Sequence, residues 1–385
     1  MGIGLYVHIP VCRAKCYYCD FNSYPLNRFS ESDLDLYVLA IEYELKHLAG
    51  LSSNQQEVTS VYLGGGTPPL LDTSRLVLIM ESIAKYFSFA PECEKTVELN
   101  PLDCTDDILR GLKKAGINRF SLGVQSFDDA TLAKLGRAHS AEQAHQAVRM
   151  LREGTDNLSL DLIYGVLDDS DVRWQTDLET VLSYEPEHLS LYSLQVEEGT
   201  PLARLVEQGF AKGVNTDIQA DHWEHACDRL YPTDYIHYEI SNWAKPGKES
   251  RHNLGYWLYQ PYLGVGAGAA GFFEGYRYRN IADPWVYTAA VRGGQMHKKF
   301  PAAEFSEKLT KEQLAFERII LALRTKYGLN MDTIPGMSAA EFWRRYGEKL
   351  NGYQQMGLIW RQGQTIGLTE SGMSLSNRIF LTFVP

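Results

Sequence analysis

Along residues 1 to 205, short runs rich in β-branched, leucine and aromatic residues alternate with amphipathic segments of helix length. That is the pattern of parallel strands joined by crossover helices. The strands it predicts are Leu5 to Ile9, Ser60 to Leu63, Thr96 to Leu99, Arg119 to Val124, Leu158 to Ile163 and Leu189 to Leu194. Six such units predict an α/β chain whose core, residues 1–205, is a partial (β/α)6 barrel of TIM type. Beyond it Tyr and Trp become dense and glycine-rich turns interrupt the strands, so residues 206–304 are expected to form a smaller α/β extension. Residues 305–385 run from helix-like Lys311 to Thr325 to a later pair of short apolar strands around Ile359 and Ile366. Helix, helix, hairpin predicts a C-terminal winged-helix-like domain.

In a barrel of this kind functional groups collect at the carboxyl ends of the strands. Each predicted strand here delivers a candidate there. In order they are a cysteine loop, Gly64-Gly65-Gly66-Thr67-Pro68, Glu98-Leu99-Asn100-Pro101, Gln125-Ser126, Asp161, and Glu197-Glu198. Any one of these polar residues reads as a cap or a loop hydrogen bond. Their recurrence at equivalent places in consecutive units points to one shared site.

The cysteine loop, Cys12-Arg-Ala-Lys-Cys16-Tyr-Tyr-Cys19, has an informative number of thiols. Structural zinc takes four protein ligands, and electron-transfer clusters usually take four thiolates. Three thiols in a CxxxCxxC loop point to an iron–sulfur cluster with one iron left open to a ligand bearing nitrogen and oxygen donors. Zinc with His8 as a fourth ligand is the competing reading. A disulfide fails on the odd count and on the absence of a secretory leader before it.

Composition narrows the partners. The 385 residues carry a formal net charge of -11, with 44% hydrophobic and 22% charged residues, which is globular and acidic. Nucleic acid is therefore not an expected partner, since phosphate binding needs Lys and Arg in excess along a face. The winged-helix-like tail, lacking a basic helix, is expected to pack or to meet a protein. The longest apolar stretch, Tyr262 to Phe273, is too short and glycine-rich to span a bilayer, so no transmembrane segment is expected. The opening Met1-Gly-Ile-Gly has neither a charged region nor a cleavage site, and a cytoplasmic location is expected. Cys93, Cys104 and Cys227 are scattered and read as buried or inert thiols.

Other motifs are weaker. The glycines of Gly64 to Pro68 let the backbone approach a ligand with exposed amide donors, or simply make a tight turn. Glu98 and Asp161 could bind an ammonium or ribose hydroxyls, or pair with Arg119 or Arg137. Gly266-Ala-Gly268-Ala-Ala-Gly271 matches a dinucleotide fingerprint, but no helix is predicted after it to receive a pyrophosphate. In Arg251-His252-Asn253-Leu254-Gly255-Tyr256-Trp257, His252 is a potential axial haem ligand, Arg251 a propionate partner, and Tyr256 and Trp257 a surface for a macrocycle. A lone histidine is more often a hydrogen-bonded structural residue.

Tyr6-Val-His8-Ile-Pro10, Cys12-x3-Cys16-x2-Cys19, Gly64-Gly-Gly-Thr-Pro68, Glu98-Leu-Asn-Pro101, Gly123-Val-Gln-Ser126, Gly136-Arg137-x-His139 and Asp161-Leu-Ile-Tyr-Gly165 occur together in this chain. Together they resemble the radical S-adenosylmethionine (SAM) proteins of the oxygen-independent coproporphyrinogen III oxidase group, over nearly the whole chain. The resemblance implies a [4Fe-4S] cluster on Cys12, Cys16 and Cys19, whose open iron takes the amino and carboxylate groups of SAM. It implies reductive cleavage of SAM to methionine and a 5'-deoxyadenosyl radical, and a reduced flavodoxin or ferredoxin-type electron donor. Tyr6, Tyr18, Gly64, Gly65, Gly66, Thr67, Glu98, Gln125, Arg137 and Asp161 would then line the SAM region.

Two departures separate this sequence from the oxidases. They carry an extension before the first strand and a further cysteine two residues beyond the third, whereas here the strand begins almost at Met1 and Asp20-Phe21 follows Cys19. The stretch His252-Asn253-x-x-Tyr256-Trp257 is instead similar to the HNxxYW motif of HemW-type haem chaperones. That resemblance implies haem contacted by His252, delivery of haem to an apo-haemoprotein, and a homodimer. Oxidative decarboxylation of coproporphyrinogen III, and radical methyl transfer, are the alternative activities.

Overall fold

The computed structural model describes residues 2–51, 56–167, 170–294 and 298–384. Each predicted strand forms. They are β1 (Ile3–Ile9), β2 (Val58–Gly65), β3 (Phe89–Leu99), β4 (Arg119–Gln125), β5 (Leu158–Tyr164) and β6 (His188–Ser193). They lie side by side in chain order, every neighbouring pair parallel. β3 begins seven residues before the apolar run that predicts it, because Glu92, Glu94 and Lys95 hide the alternation while the backbone ladder continues through them.

Along these strands the side chains alternate in character, not only in direction. Val61, Leu63, Val97, Leu122, Leu160 and Leu189 belong to the apolar core against the crossover helices. The residues between them, Tyr62, Glu98, Ser121, Asp161 and Ser190, line a cavity on the other face. Period-two alternation therefore separates an outer hydrophobic layer from an inner polar one.

The crossover helices are started by side-chain caps. Ser30 and Asp33 form a capping box ahead of the helix Glu31–Ala49, and Ser140 and Gln143 do the same for Ala141–Gly154. Each box satisfies two amide donors that a helix start otherwise leaves open.

The sheet continues on both sides. β7 (Ile236–Glu239) and β8 (Asn242–Ala244) extend it antiparallel beyond β6, while β9 (Tyr262–Val265), parallel to β1, is followed by antiparallel β10 (Ala270–Phe273), β11 (Tyr276–Asn280) and β12 (Ala303–Lys308). The result is a 12-stranded mixed sheet, open between β12 and β7. A strand, β10, follows the GxGxxG stretch, as the missing helix signal implied. Residues 311–383 build a second apolar core around Phe342, Leu350, Ile366 and Phe383, between the helices Lys311–Ala322 and Ala339–Gln355 and a hairpin of Ile359–Gln362 with Thr365–Leu368. Among the described residues no helix is long and apolar enough to cross a membrane.

One buried carboxylate ties the helix after β1 to the extension. Glu44 accepts hydrogen bonds from Tyr287 Oη (2.6 Å), Asn280 Nδ2 (2.7 Å) and the Gly266 amide (3.0 Å). Burial outweighs these bonds and raises its pKa to about 7. Between an ordinary carboxyl value and that pKa the folded chain binds more protons than the unfolded one, so this group makes stability fall as pH rises through the window. Glu44→Gln is expected to flatten that fall, measured as the urea midpoint at about pH 5 against about pH 7.5. Glu98 titrates in the same window, so the slope should shrink and not vanish. An unchanged slope would refute the assignment.

Candidate functional site

The carboxyl ends of β1 to β6 open onto a cavity of about 420 Å³ with Cys12, Cys16 and Cys19 among its lining residues. Of the residues singled out in the sequence, Tyr18, Gly65, Gly66, Thr67, Glu98, Gln125, Arg137 and Asp161 line the same cavity. Tyr6 and Gly64 do not. Tyr6 is hydrogen-bonded to His8 Nδ1 at 2.9 Å, and a Cβ on Gly64 would come within 2.8 Å of Glu98 and 2.7 Å of Tyr62. Both therefore support the wall from behind.

The cysteine loop is held by a chain of hydrogen bonds that begins and ends on its sulfurs. Cys12 Sγ lies 3.6 Å from Thr67 Oγ1, which accepts from Asn100 Nδ2 at 2.6 Å. Asn100 Oδ1 in turn accepts from Arg137 Nη2 at 2.5 Å, and Arg137 Nη1 donates to Cys16 Sγ at 3.4 Å. A second tie is the ion pair of Arg13 with buried Asp103 at 2.6 Å. Neither Asn100 nor Asp103 was predicted as a site residue. The only signal for Asn100 was its place in the Glu98-Leu-Asn-Pro motif.

The glycine turn serves the loop differently from the sequence expectation of exposed amide donors. The Gly66 and Thr67 amides donate to Ile9 O (2.8 Å) and Val11 O (2.7 Å), and the Gly65 amide donates to Glu98 Oε2 (2.9 Å). These amides are spent on anchoring the chain as it leaves β1. Glycine is required for the close approach, because a Cβ on Gly66 would stand 2.5 Å from the Val11 carbonyl. What the turn can still offer a ligand is its carbonyl oxygens.

Deeper in the cavity the charges are confined. Glu98 also accepts from Tyr62 Oη at 2.8 Å, yet burial raises its pKa to about 7. Asp161 accepts from Ser121 (3.1 Å) and Ser159 (3.2 Å), and burial raises it too. Neither carboxylate forms the salt bridge with Arg119 or Arg137 that was the bland alternative. Arg119 is only 2% exposed and its Nε has no hydrogen-bond partner. Two buried acids without a salt bridge and a guanidinium with one unpartnered nitrogen suit a ligand carrying a cation, hydroxyls and a carboxylate.

The zinc reading fares poorly. His8 donates Nε2–H to Asn22 O (2.7 Å) and accepts at Nδ1 from Tyr6, so neither nitrogen is available. The only trio of His, Cys, Asp or Glu among the described residues whose donor atoms all lie within 4.8 Å is elsewhere. At least one pair of loop sulfurs is therefore wider apart than the roughly 3.8 Å edge of a tetrahedral zinc–thiolate site.

His252 lies apart from this cavity, beneath it. It sits on the helix Arg251–Trp257, 2% exposed, with Nδ1 hydrogen-bonded to Ser60 Oγ (2.8 Å) and Nε2 to Tyr256 Oη (2.7 Å). Its ring stacks on Tyr62 at 5.2 Å, and burial lowers its pKa to about 3. Arg251 donates to the Glu92 carbonyl at 2.6 Å, and Trp257 lies under the Arg324 guanidinium at 4.5 Å. The aromatic and basic groups of this stretch are thus engaged internally, and only Asn253 reaches the cavity.

The chain is similar to known proteins over nearly its whole length. The family model described as the radical SAM superfamily matches residues 6–181, and the one described as the HemN C-terminal domain matches residues 309–375. A protein of Lactococcus lactis named heme chaperone HemW is 32% identical over 98% of this chain and 96% of its own length. One of the same name from Bacillus subtilis is 34% identical over 98% of each. In fold, the chain is similar to the solved structure of coproporphyrinogen III oxidase (HemN) from Escherichia coli, with a TM-score of 0.85 at 22% identity over 99% of this chain and 90% of that one.

Burial raises the pKa of both Cys12 and Cys19. In the cluster-free, reduced protein near pH 8, both are expected to react with iodoacetamide several-fold more slowly than a free peptide thiol, as read by peptide mass spectrometry. Reaction as fast as the free thiol would contradict the buried loop geometry.

Proposed function

Because the chain belongs to the radical SAM superfamily, and within it to the HemW family of its full-length relatives, we propose that it binds haem for delivery to apo-haemoproteins and carries a [4Fe-4S] cluster with SAM. The observation that carries the cofactor part is the placing of three thiols at the mouth of a cavity walled by Glu98 and Asp161. When bound, the cluster supplies a low-potential electron and an open iron that can take the amino-acid end of SAM.

The chain's own residues have definite tasks in this reading. Cys12, Cys16 and Cys19 ligate the cluster. Arg137, donating to Cys16 Sγ, favours the more negatively charged, reduced state through a hydrogen bond to a ligand sulfur. Glu98 gains most from a cationic ligand, since a positive partner offsets the burial that holds its proton on. Asp161 offers acceptor oxygens to the ribose hydroxyls. Tyr18, the turn from Gly65 to Thr67 and Gln125 shape the walls, with Tyr6 and Gly64 behind them. A cytoplasmic setting would keep the thiols reduced, and a flavodoxin or ferredoxin-type protein is the proposed electron donor.

His252 is the proposed haem contact. Ligation through one ring nitrogen would give up that nitrogen's hydrogen bond, to Ser60 or to Tyr256, and since the ring is buried the helix Arg251–Trp257 would have to open to admit haem. Haem titration of the anaerobically reconstituted protein tests this. His252→Ala is expected to weaken haem binding by about tenfold or more and to change the Soret band, with melting curves of the same samples separating loss of fold from loss of ligand. Unchanged affinity and spectrum would remove His252 from the site. Cys12→Ala should abolish the visible absorbance of a four-iron cluster. Anaerobic conversion of coproporphyrinogen III by the same samples would overturn the chaperone reading.

A further inference from the structure

At the far edge of the sheet three donor atoms of different chemistry converge. Cys227 lies on the helix Thr216–Leu230, His237 on edge strand β7, and Glu370 at the start of the short helix Glu370–Ser374 in the C-terminal module. Their ligand atoms all lie within 4.8 Å of one another, with His237 Nδ1 3.0 Å from Glu370 Oε2. Cys227 read from the sequence as an inert thiol, and none of the three is near the cavity described above.

The orientation of His237 is informative. Its Nε2 lies 3.2 Å from the Ile240 carbonyl, which can only accept, so Nε2 carries the hydrogen. In the neutral ring this leaves the Nδ1 lone pair facing a carboxylate, an arrangement that is repulsive unless a cation lies between them. Donation of the remote N–H to a backbone carbonyl is also how metal-bound histidines are commonly held. The ring is locked further by stacking on Trp243 at 4.1 Å and 6°. A proton on Nδ1 would satisfy the pair of His237 and Glu370, and the Cys227 thiol can donate to the same carboxylate, so the case for a metal rests on the convergence of three donor atoms of different chemistry. A soft third donor aimed at the same point favours a metal ion over a proton.

We propose that Cys227, His237 and Glu370 form a site for a divalent transition-metal ion of the zinc type, with the fourth position left to water. Three protein donors of N, S and O type with one open position suit such an ion. The Glu370 side chain is 54% exposed, which gives the ion a path in and lets the carboxylate close on it. Because the ligands come from the sheet edge and from the C-terminal module, the bound ion clamps the two together.

The test uses the full-length chain carrying Cys12→Ser, Cys16→Ser and Cys19→Ser, so the loop thiols cannot bind metal and failure leaves the radical SAM reading untouched. Titration with Co2+ should saturate at one equivalent, with a thiolate-to-cobalt charge-transfer band and the d–d bands of a four-coordinate ion, and Zn2+ should displace it. Adding Cys227→Ser should abolish the charge-transfer band. Adding Glu370→Gln, a change at an exposed side chain that keeps the fold testable, should keep the band and weaken binding by about tenfold or more. Absence of the band in the parent, or the same band and affinity in both variants, would overturn the site.

Discussion

A polar inner face on an arc of parallel strands is the constraint on which this structure depends. Strands packed on helices at one face normally fill the other with apolar side chains as well. Here the inner positions of β2 to β6 carry Tyr62, Glu98, Ser121, Asp161 and Ser190, and a charged group taken from water must be matched or it destabilises the fold. Part of the matching is internal, as when Tyr62 and the Gly65 amide donate to Glu98. The remainder is left for a ligand: Glu98 and Asp161 have pKa values raised by burial, and Arg119 has an unpaired Nε. The fold therefore stores a binding preference in groups it does not fully satisfy.

The same economy explains the loop. A three-thiol loop held only by its own backbone would sample many sulfur arrangements. The connected path from Cys12 through Thr67, Asn100 and Arg137 to Cys16 ties it to β2, β3 and the segment after β4. Preorganised ligands bind a cluster at less entropic cost, and hydrogen bonds to the ligand sulfurs tune its potential. The glycine turn contributes by letting two backbones approach closely, not by presenting free amides.

His252 illustrates how the same residue looks different at two levels. In the sequence its motif resembles that of haem chaperones, yet its ring lies beneath the cavity and is hydrogen-bonded at both nitrogens. Under the proposed haem role, His252 would become accessible only if the helix Arg251–Trp257 moved, because the ring is buried as it stands. Trp257 under Arg324 links that helix to the C-terminal module, so movement of one would be felt by the other.

By itself the sequence determined the six parallel strands, the residues at their carboxyl ends and the three-thiol loop, because alternation of polarity and local spacing are properties of short segments. It also carried part of the cavity wall: Glu98 and Gln125 stand at the ends of strands, Asp161 lies midway along β5, and Arg137 lies in the segment beyond β4. Only the tertiary structure decided what depends on distance between segments. It placed Asn100 between Thr67 and Arg137, spent the turn amides on Ile9 and Val11, confined His252 against Ser60, and brought Cys227 to His237 and Glu370 from three separate elements. Hydrogen bonds and metal sites are set by positions in space, and a single sequence fixes those only after the strands have chosen their neighbours.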